Sequence, residues 1–307
     1  MTLQVIHSEG NDDLARVFVG RFPDGTQVEF VESVQPPLTR SEKWVLIISS
    51  LDGCPFSCAI CDAGGNYRGP LSTEQILAQI ETMVTRRYPD RKIPAKKLKI
   101  QFARVGDPAL NPAVIQVLDK LQCKYGQAVF PSVSTIAPKG SEVFLEKLLE
   151  VKNKHYNGRF QLQFSLHTTD ESRRPELVPG RTLSFAQMAL AGRPFAQPGD
   201  RKVTLNFATP VGYPLDPAGL LATFDPDHFC VKLTPVNPTT KALQRKLTGI
   251  IDPHQPEANT AIVNRFVDAG YDTILSIGEL DENRIGSNCG MYLRHNRGQN
   301  SIVGATC

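Results

Sequence analysis

From Trp44 almost to its end, the chain repeats one pattern: a short, nearly all-apolar run, then a stretch with helical spacing. WVLIISS (44–50) is the first such run, and Ser72 with Gln75 forms a capping-box signal that opens a helix to about Arg87. LKIQFA (98–103) follows, then the turn Gly106-Asp107-Pro108 and a helix from about Pro112 to Tyr125. QAVFPSVST (127–135) leads into a helix from Ser141 to about Val151, and FQLQFSLH (160–167) into one around Leu183 to Ala191. KVTLNFA (202–208), FCVKLTPVNP (229–238), a helix from about Asn259 to Ala269 and a short strand DTILSI (272–277) complete the series. Apolar strands alternating with helices predict an α/β fold, a parallel sheet covered by helices, either open or curled into a barrel. In both forms the loops at the carboxyl ends of the strands are where an active site forms.

Before this series, VFVGRF and TQVEFVE alternate apolar and polar residues around Pro23-Asp24-Gly25, which predicts a small β-hairpin over 17–32. Three segments are expected: a β-hairpin extension over 1–40, the β/α unit over 41–295, and a flexible polar tail over 296–307. The 307 residues suffice for a substantial core, and a hydrophobic content of 41% is that of a globular protein. No apolar run approaches the roughly 20 residues that span a bilayer, and Glu9, Asp12 and Asp13 stand where a signal peptide would be basic and then apolar. The expectation is a cytoplasmic protein without a membrane partner. A formal charge of +3 neither demands nor excludes a nucleic acid.

Cysteines are few, yet three of the seven fall within GCPFSCAICD (53–62), as Cys54, Cys58 and Cys61 in the spacing C-x3-C-x2-C. An odd number with a tight cluster points to metal or redox chemistry, not a disulfide framework. Three thiolates on one loop can ligate three irons of a [4Fe-4S] cluster and leave the fourth iron open. A zinc site is the alternative, although a structural zinc wants four ligands and no second Cys or His pair supplies the rest. Three unrelated cysteines are the remaining reading.

This spacing directly after a first β-strand resembles the signature of the radical S-adenosylmethionine superfamily. Further motifs in order resemble its Cfr/RlmN-type, or class A, methyltransferases. Gly106-Asp107-Pro108-Ala109-Leu110-Asn111 resembles GEPLLN, Ser132-Val133-Ser134-Thr135 a serine-containing third strand, and Ser165-Leu166-His167 with Asp170, Arg173 and Pro179 the family's SLHAPND segment. Leu233 to Pro238 resembles LIPWNP, and Asn288-Cys289-Gly290 resembles ACGQL; the match runs from about Trp44 to Leu293. The resemblance implies a partial (β/α)6 radical-SAM barrel in which Cys54, Cys58 and Cys61 hold a [4Fe-4S] cluster. S-adenosyl-L-methionine would chelate the open iron, with Ile60, Asp107, Ser134, Ser165, His167 and Asn237 around it. It further implies that reductive cleavage gives a 5′-deoxyadenosyl radical, that Cys289 carries a methyl group to an sp2 carbon, and that a flavodoxin- or ferredoxin-type protein donates electrons. Read without the resemblance, Asp107 is a turn residue, His167 a core histidine, Asn237 part of an Asn-Pro turn and Cys289 a small apolar residue.

Two departures stand out. The family has a second cysteine seven residues before the first cluster ligand, which resolves the methyl-transfer adduct; here that position is Ile47. Cys307, on the glycine-containing tail, is the candidate replacement, ahead of Cys230 and Cys123. The family's basic stretch before the methyl-carrying cysteine is replaced by Glu279, Asp281, Glu282 and Arg284, and acids repel a phosphate backbone. About 40 residues precede the first barrel strand, too few for the family's larger N-terminal RNA-binding domain. The expected substrate is therefore a small molecule, peptide or RNA, with ribosomal RNA the less favoured. The alternatives are direct use of the 5′-deoxyadenosyl radical on a small metabolite or peptide, RNA adenine methylation, and a non-enzymatic cluster protein.

Overall fold

A computed structural model describes residues 2–292. The whole tail expected over 296–307, Cys307 included, lies outside the described residues. The strands are β1 (Gln4–Gly10), β2 (Ala15–Arg21), β3 (Gln27–Val34), β4 (Lys43–Ile48), β5 (Leu51–Cys54), β6 (Gly65–Pro70), β7 (Lys97–Phe102), β8 (Val129–Thr135), β9 (Gln161–Ser165), β10 (Val203–Phe207), β11 (Phe229–Leu233) and β12 (Thr273–Leu275). The longer helices are α1 (Thr73–Arg87), α2 (Ala113–Tyr125) and α3 (Glu142–His155). Shorter ones follow: α4 (Arg174–Leu177), α5 (Phe185–Gly192), α6 (Ala218–Leu221), α7 (Thr240–Gln244), α8 (Thr260–Asp268) and α9 (Asp281–Ile285).

Ten strands form one sheet in the order β1-β2-β3-β4-β7-β8-β9-β10-β11-β12, while β5 and β6 pair separately. From β4 onward every pairing in the large sheet is parallel, with helices between strands, so the α/β expectation is met. At the N-terminus the structure goes further than the predicted hairpin. β1 adds a third antiparallel strand and β3 pairs antiparallel with β4, so these strands continue the wall of the sheet. β1 carries mostly exposed, polar side chains, and such an edge strand leaves no alternation to read.

The register decides which side chains face the helices. On β7, Leu98, Ile100 and Phe102 are buried, and they pair with Val129, Pro131 and Val133 of β8. Under them α1 buries Ile76, Ile80, Met83 and Val84, a stripe at helical spacing, and Ser72 with Gln75 closes the capping box that starts it. Val114, Val117, Leu118 and Leu121 of α2 and Leu145, Leu148 and Val151 of α3 continue the same layer. The alternate strand positions point into the concave side, where Lys97, Lys99, Gln101, Gln161, Gln163 and Ser165 keep partial exposure. The concave side is therefore a water-reached lumen. Over β2 to β4 it is closed by Ile285 of α9, which packs on Ala15, Val17, Val19, Val31 and Ile47.

Candidate active site

The cysteine loop is held by the β5–β6 hairpin at the carboxyl end of β4. Gly53 there has φ +78°, and a Cβ would meet the Asn66 carbonyl oxygen at 2.3 Å, so only glycine fits the turn. Asn111 ties the neighbouring turn to the hairpin, donating from Nδ2 to the carbonyls of Ser50 (2.7 Å) and Leu71 (2.8 Å). The Cys54 sulfur accepts hydrogen bonds from the backbone N–H groups of Phe56 and Asp107, and the Cys61 sulfur from that of Ala63. Burial pushes all three thiols up, Cys58 to about 12; Cys54 raises Cys58 further, and Cys58 and Cys54 raise Cys61, so they share one desolvated pocket. Among the described residues no three His, Cys, Asp or Glu side chains stand close enough to grip one metal ion. The thiolates of a cubane each bind a different iron and so stand further apart. Backbone N–H donors aimed at the sulfurs, and a buried cation nearby, are the surroundings an anionic cluster needs. The residues present fit a [4Fe-4S] group.

That cation is Arg174. It is 2% exposed and spans the site, donating to the carbonyls of Ile136 (2.8 Å) and Ser165 (2.9 Å) and to Thr182 (2.7 Å). Burial lowers its pKa to about 10, opposed by Cys58, Glu171 and Asp107 beside it, while its Nε has no partner. The sequence motif had pointed to Arg173, which instead lies outside, paired with Glu176 and stacked over the Tyr213 ring.

Asp107 sits at the start of the turn after β7. Its carboxylate accepts from the Ala109 N–H (2.9 Å), the Thr135 hydroxyl (2.7 Å) and the Ile136 N–H (2.7 Å), pinning the carboxyl end of β8. Burial raises its pKa to about 6 despite those donors. Ser134 and Ser165 face the lumen at the ends of β8 and β9. His167 follows with φ +67°, and its Nδ1 accepts from the Ala208 N–H at 3.1 Å, which leaves its proton on Nε2. Burial and then Arg174 lower its pKa to about 3, so the ring is neutral.

The structure brings Cys289 to this loop from the far end of the chain. The Asp62 N–H donates to the Gly290 carbonyl at 2.8 Å, and a Cβ on Gly290 would meet the Ile60 carbonyl oxygen at 2.9 Å. Asn237 donates to the Cys289 carbonyl at 3.0 Å, and the Asp62 carboxylate accepts from the Thr240 (2.8 Å) and Lys241 (3.0 Å) N–H groups at the start of α7. Cys289 is open to solvent, yet burial still pushes its thiol up, with Lys232 and Arg104 opposing. A neighbouring cavity of about 520 Å³ is lined in part by Asn237, Leu243, Ile251, His254, Leu280 and Asn288.

Arg104, which carries no motif signal, fixes this segment from below. Its guanidinium pairs with the buried Glu29 of β3 and donates to the carbonyls of Gly286 (2.7 Å), Ser287 (3.0 Å) and Asn288 (3.3 Å). It also stacks 4.6 Å from the Tyr292 ring centre. An arginine directly after the strand run LKIQFA was the available clue. Ile47, where the family has its second cysteine, is packed among the apolar residues under α9. Of the other cysteines, Cys230 faces the lumen beside Thr204 at 3.5 Å, and Cys123 is exposed on α2.

No family model matches the chain. It is 27% identical over 248 residues to a probable dual-specificity RNA methyltransferase RlmN of Desulfitobacterium hafniense, covering 77% of this chain and 66% of that protein. A protein of the same name from Thermosynechococcus vestitus is 27% identical over 72% of this chain and 63% of its own length. One from Bacteroides thetaiotaomicron is 32% identical over 52% and 42%. The chain thus spans less than two thirds of the length of these relatives. Their names, as RNA methyltransferases, run against the expectation that ribosomal RNA is the less favoured substrate. In fold, a radical SAM methyltransferase from Sphaerobacter thermophilus superposes with a TM-score of 0.74 at 19% identity, over 95% of this chain and 81% of that one. The chain is thus similar in sequence to RlmN-type RNA methyltransferases and in fold to a radical SAM methyltransferase, and the resemblance read from its motifs stands.

Proposed function

We propose that this chain is a radical S-adenosylmethionine methyltransferase that uses Cys289 as its methyl carrier. The observation that carries the reading is the joining of the Cys289–Gly290 segment to the cysteine loop through the 2.8 Å Asp62 to Gly290 bond. Cys54, Cys58 and Cys61 would hold a [4Fe-4S] cluster, which supplies the electron that cleaves the sulfonium of S-adenosyl-L-methionine. Arg174 balances the charge of the buried thiolates, and the neutral His167 keeps its Nε2 proton as a donor at the strand end. Asp107 holds β8 so that Ser134 faces the lumen, with Ser165 beside it on β9; three internal donors already occupy its carboxylate. Lys232 beside the Cys289 thiol favours its thiolate, the form that attacks a methyl donor. Arg104 and Asn237 fix the backbone that carries it.

The relatives' names make a base in RNA the first acceptor to test. A second reading, a small molecule or peptide, is favoured by the exposed Glu279 and Asp281 beside this segment, which repel phosphates. Anaerobic reconstitution should give about four irons per chain. After incubation with the cofactor and a reductant, the peptide containing Cys289 should gain about 14 Da, the mass of one added methyl less its hydrogen. An unmodified peptide from an iron-loaded, cofactor-cleaving protein would remove the relay. RNA that gains no methyl group from such a protein would leave the small-substrate reading.

A further inference from the structure

Among the described residues, the inward positions of β4 and β7 to β11 carry cations and no carboxylates, and the inward Glu29 of β3 is held by Arg104. Side chains alternate along a strand, and the register places Lys43 of β4, Lys97 and Lys99 of β7, and Lys232 of β11 on the concave face. The other inward positions of β4 and β7 to β11 are Val45, Ile47, Gln101, Phe130, Ser132, Ser134, Gln161, Gln163, Ser165, Thr204, Asn206 and Cys230. None of them is acidic. Arg201, exposed just before β10, joins the group at the amino-terminal mouth: its guanidinium lies 5.3 Å from the Phe130 ring centre and the Lys97 ammonium 3.6 Å from it. The acids nearest in sequence have cations of their own: Asp200 pairs with Lys152, and Asp272, which lies near Cys230, pairs with Lys202.

The charges meet across the lumen. Lys43 and Lys232 stand on strands far apart in the sheet order, yet each disfavours protonation at its neighbours. Burial, and then Lys232, Lys43, Lys97 and Arg201, hold Lys99 well below the ordinary lysine range; burial, Arg201 and Lys43 bring Lys97 to about 8. The Lys99 ammonium donates to the neutral Gln161 amide oxygen at 3.2 Å. Asn206, 8% exposed and inward-facing next to Lys232 in the register, has a buried Oδ1 with no hydrogen-bond partner. A fold does not gather like charges around one space without cost, and a bound anion offsets that cost.

The geometry points to a binding site for a small oxyanion, phosphate or carboxylate, in the lumen between the Arg201–Lys97–Phe130 mouth and Lys232, next to Cys289. Lys99 and Lys232 supply charge-assisted hydrogen bonds, and only the Nδ2–H group of Asn206 can add a neutral one. Arg201 and Lys97 draw the anion in from the amino-terminal mouth, while the acids at α9 turn polyanions away from the opposite rim. The site is read by binding alone, without turnover, so its failure and the failure of the methyl relay are separate results.

The test is calorimetry on the anaerobically reconstituted full chain, titrated with inorganic pyrophosphate in one arm and citrate in another. Saturable binding near one per chain is expected, with the stronger arm telling phosphate from carboxylate. Lys99→Gln and Lys232→Gln should each weaken it by about tenfold. Lys120→Gln, on the outer face of α2 and paired there with Glu74, should leave it unchanged. Because they relieve repulsion, both lumen variants should melt at or above the wild-type temperature without ligand, which guards against misfolding as the cause. Absence of binding in both arms overturns the site. So does binding unaltered in both lumen variants, or equal weakening in Lys120→Gln. Tighter binding of a single-stranded RNA through the same lysines would assign the cations to nucleic acid and overturn it too.

Discussion

Arg104 shows how much one side chain can decide in this molecule. Its guanidinium is buried, and it takes on the Glu29 carboxylate and three carbonyls of the segment before Cys289 together. Breaking a buried, hydrogen-bonded ion pair from one side costs about 3–5 kcal/mol, because the other charge stays behind in low dielectric. Arg104→Met should therefore lower the melting temperature strongly, and adding Glu29→Met should restore much of it, since an apolar pair of similar volume needs no counter-charge. Methylation of the Cys289 peptide should stay low in both variants, because the carbonyls of Gly286 to Asn288 have lost their donor. A double variant that modifies Cys289 at the wild-type rate would show that Arg104 is only a folding element. At this scale the three candidate cluster cysteines were legible because their spacing is local. Arg104 was not, because its partners lie 75 and 182 residues away in the chain.

The element most exposed to solution conditions is α9, the five-residue helix that covers Ile47 and leads into the Cys289 segment. Its Glu282 has a carboxyl raised to about 7, chiefly by burial and then by Glu279, with Ser287 and Arg104 opposing. The folded value lies above the ordinary 4.5, so the folded chain holds this proton more tightly than the unfolded one. That contribution to stability is full below about pH 4.5 and is lost as pH rises through about 7. Amide hydrogen exchange over 281–292 should quicken between about pH 5 and pH 8 beyond its intrinsic chemical rise, and Glu282→Gln should abolish the excess. An excess that persists in the variant would assign the effect to another group. Neither α9 nor β6 was legible in the sequence. α9 is too short to show a helical period, and β6, GNYRGP, is exposed and pairs only with β5. The barrel strands and α1 were legible because apolar runs and a capping box encode them locally, whereas β11 stops at Leu233, short of Pro235 and Pro238, which cannot donate to a ladder.

For the whole molecule, the unexpected feature is that the N-terminal strands belong to the wall of the barrel. Val17, Phe18, Val19, Phe22, Val28, Phe30 and Val31 are all buried, on both faces of β2 and β3. At about 1.5–3 kcal/mol for each such side chain, discounted for a compact unfolded state, their burial is worth on the order of 10 kcal/mol. That is comparable with the entire stability of an ordinary domain. Deleting residues 2–34 would also bare the β4 edge, strip Val45 and Ile47 of their partners and take the Glu29 carboxylate from Arg104. The truncated chain should thus lose its cooperative melting transition and aggregate, although every cysteine of the candidate site remains in it. If it instead stays monomeric, melts cooperatively and still loads about four irons, the strands are an appendage and the barrel from β4 onward stands alone. The opposite result would mean that the site at one end of the barrel depends on strands that contribute no candidate ligand to it, through the β3–β4 pairing and the buried pair of Glu29 and Arg104.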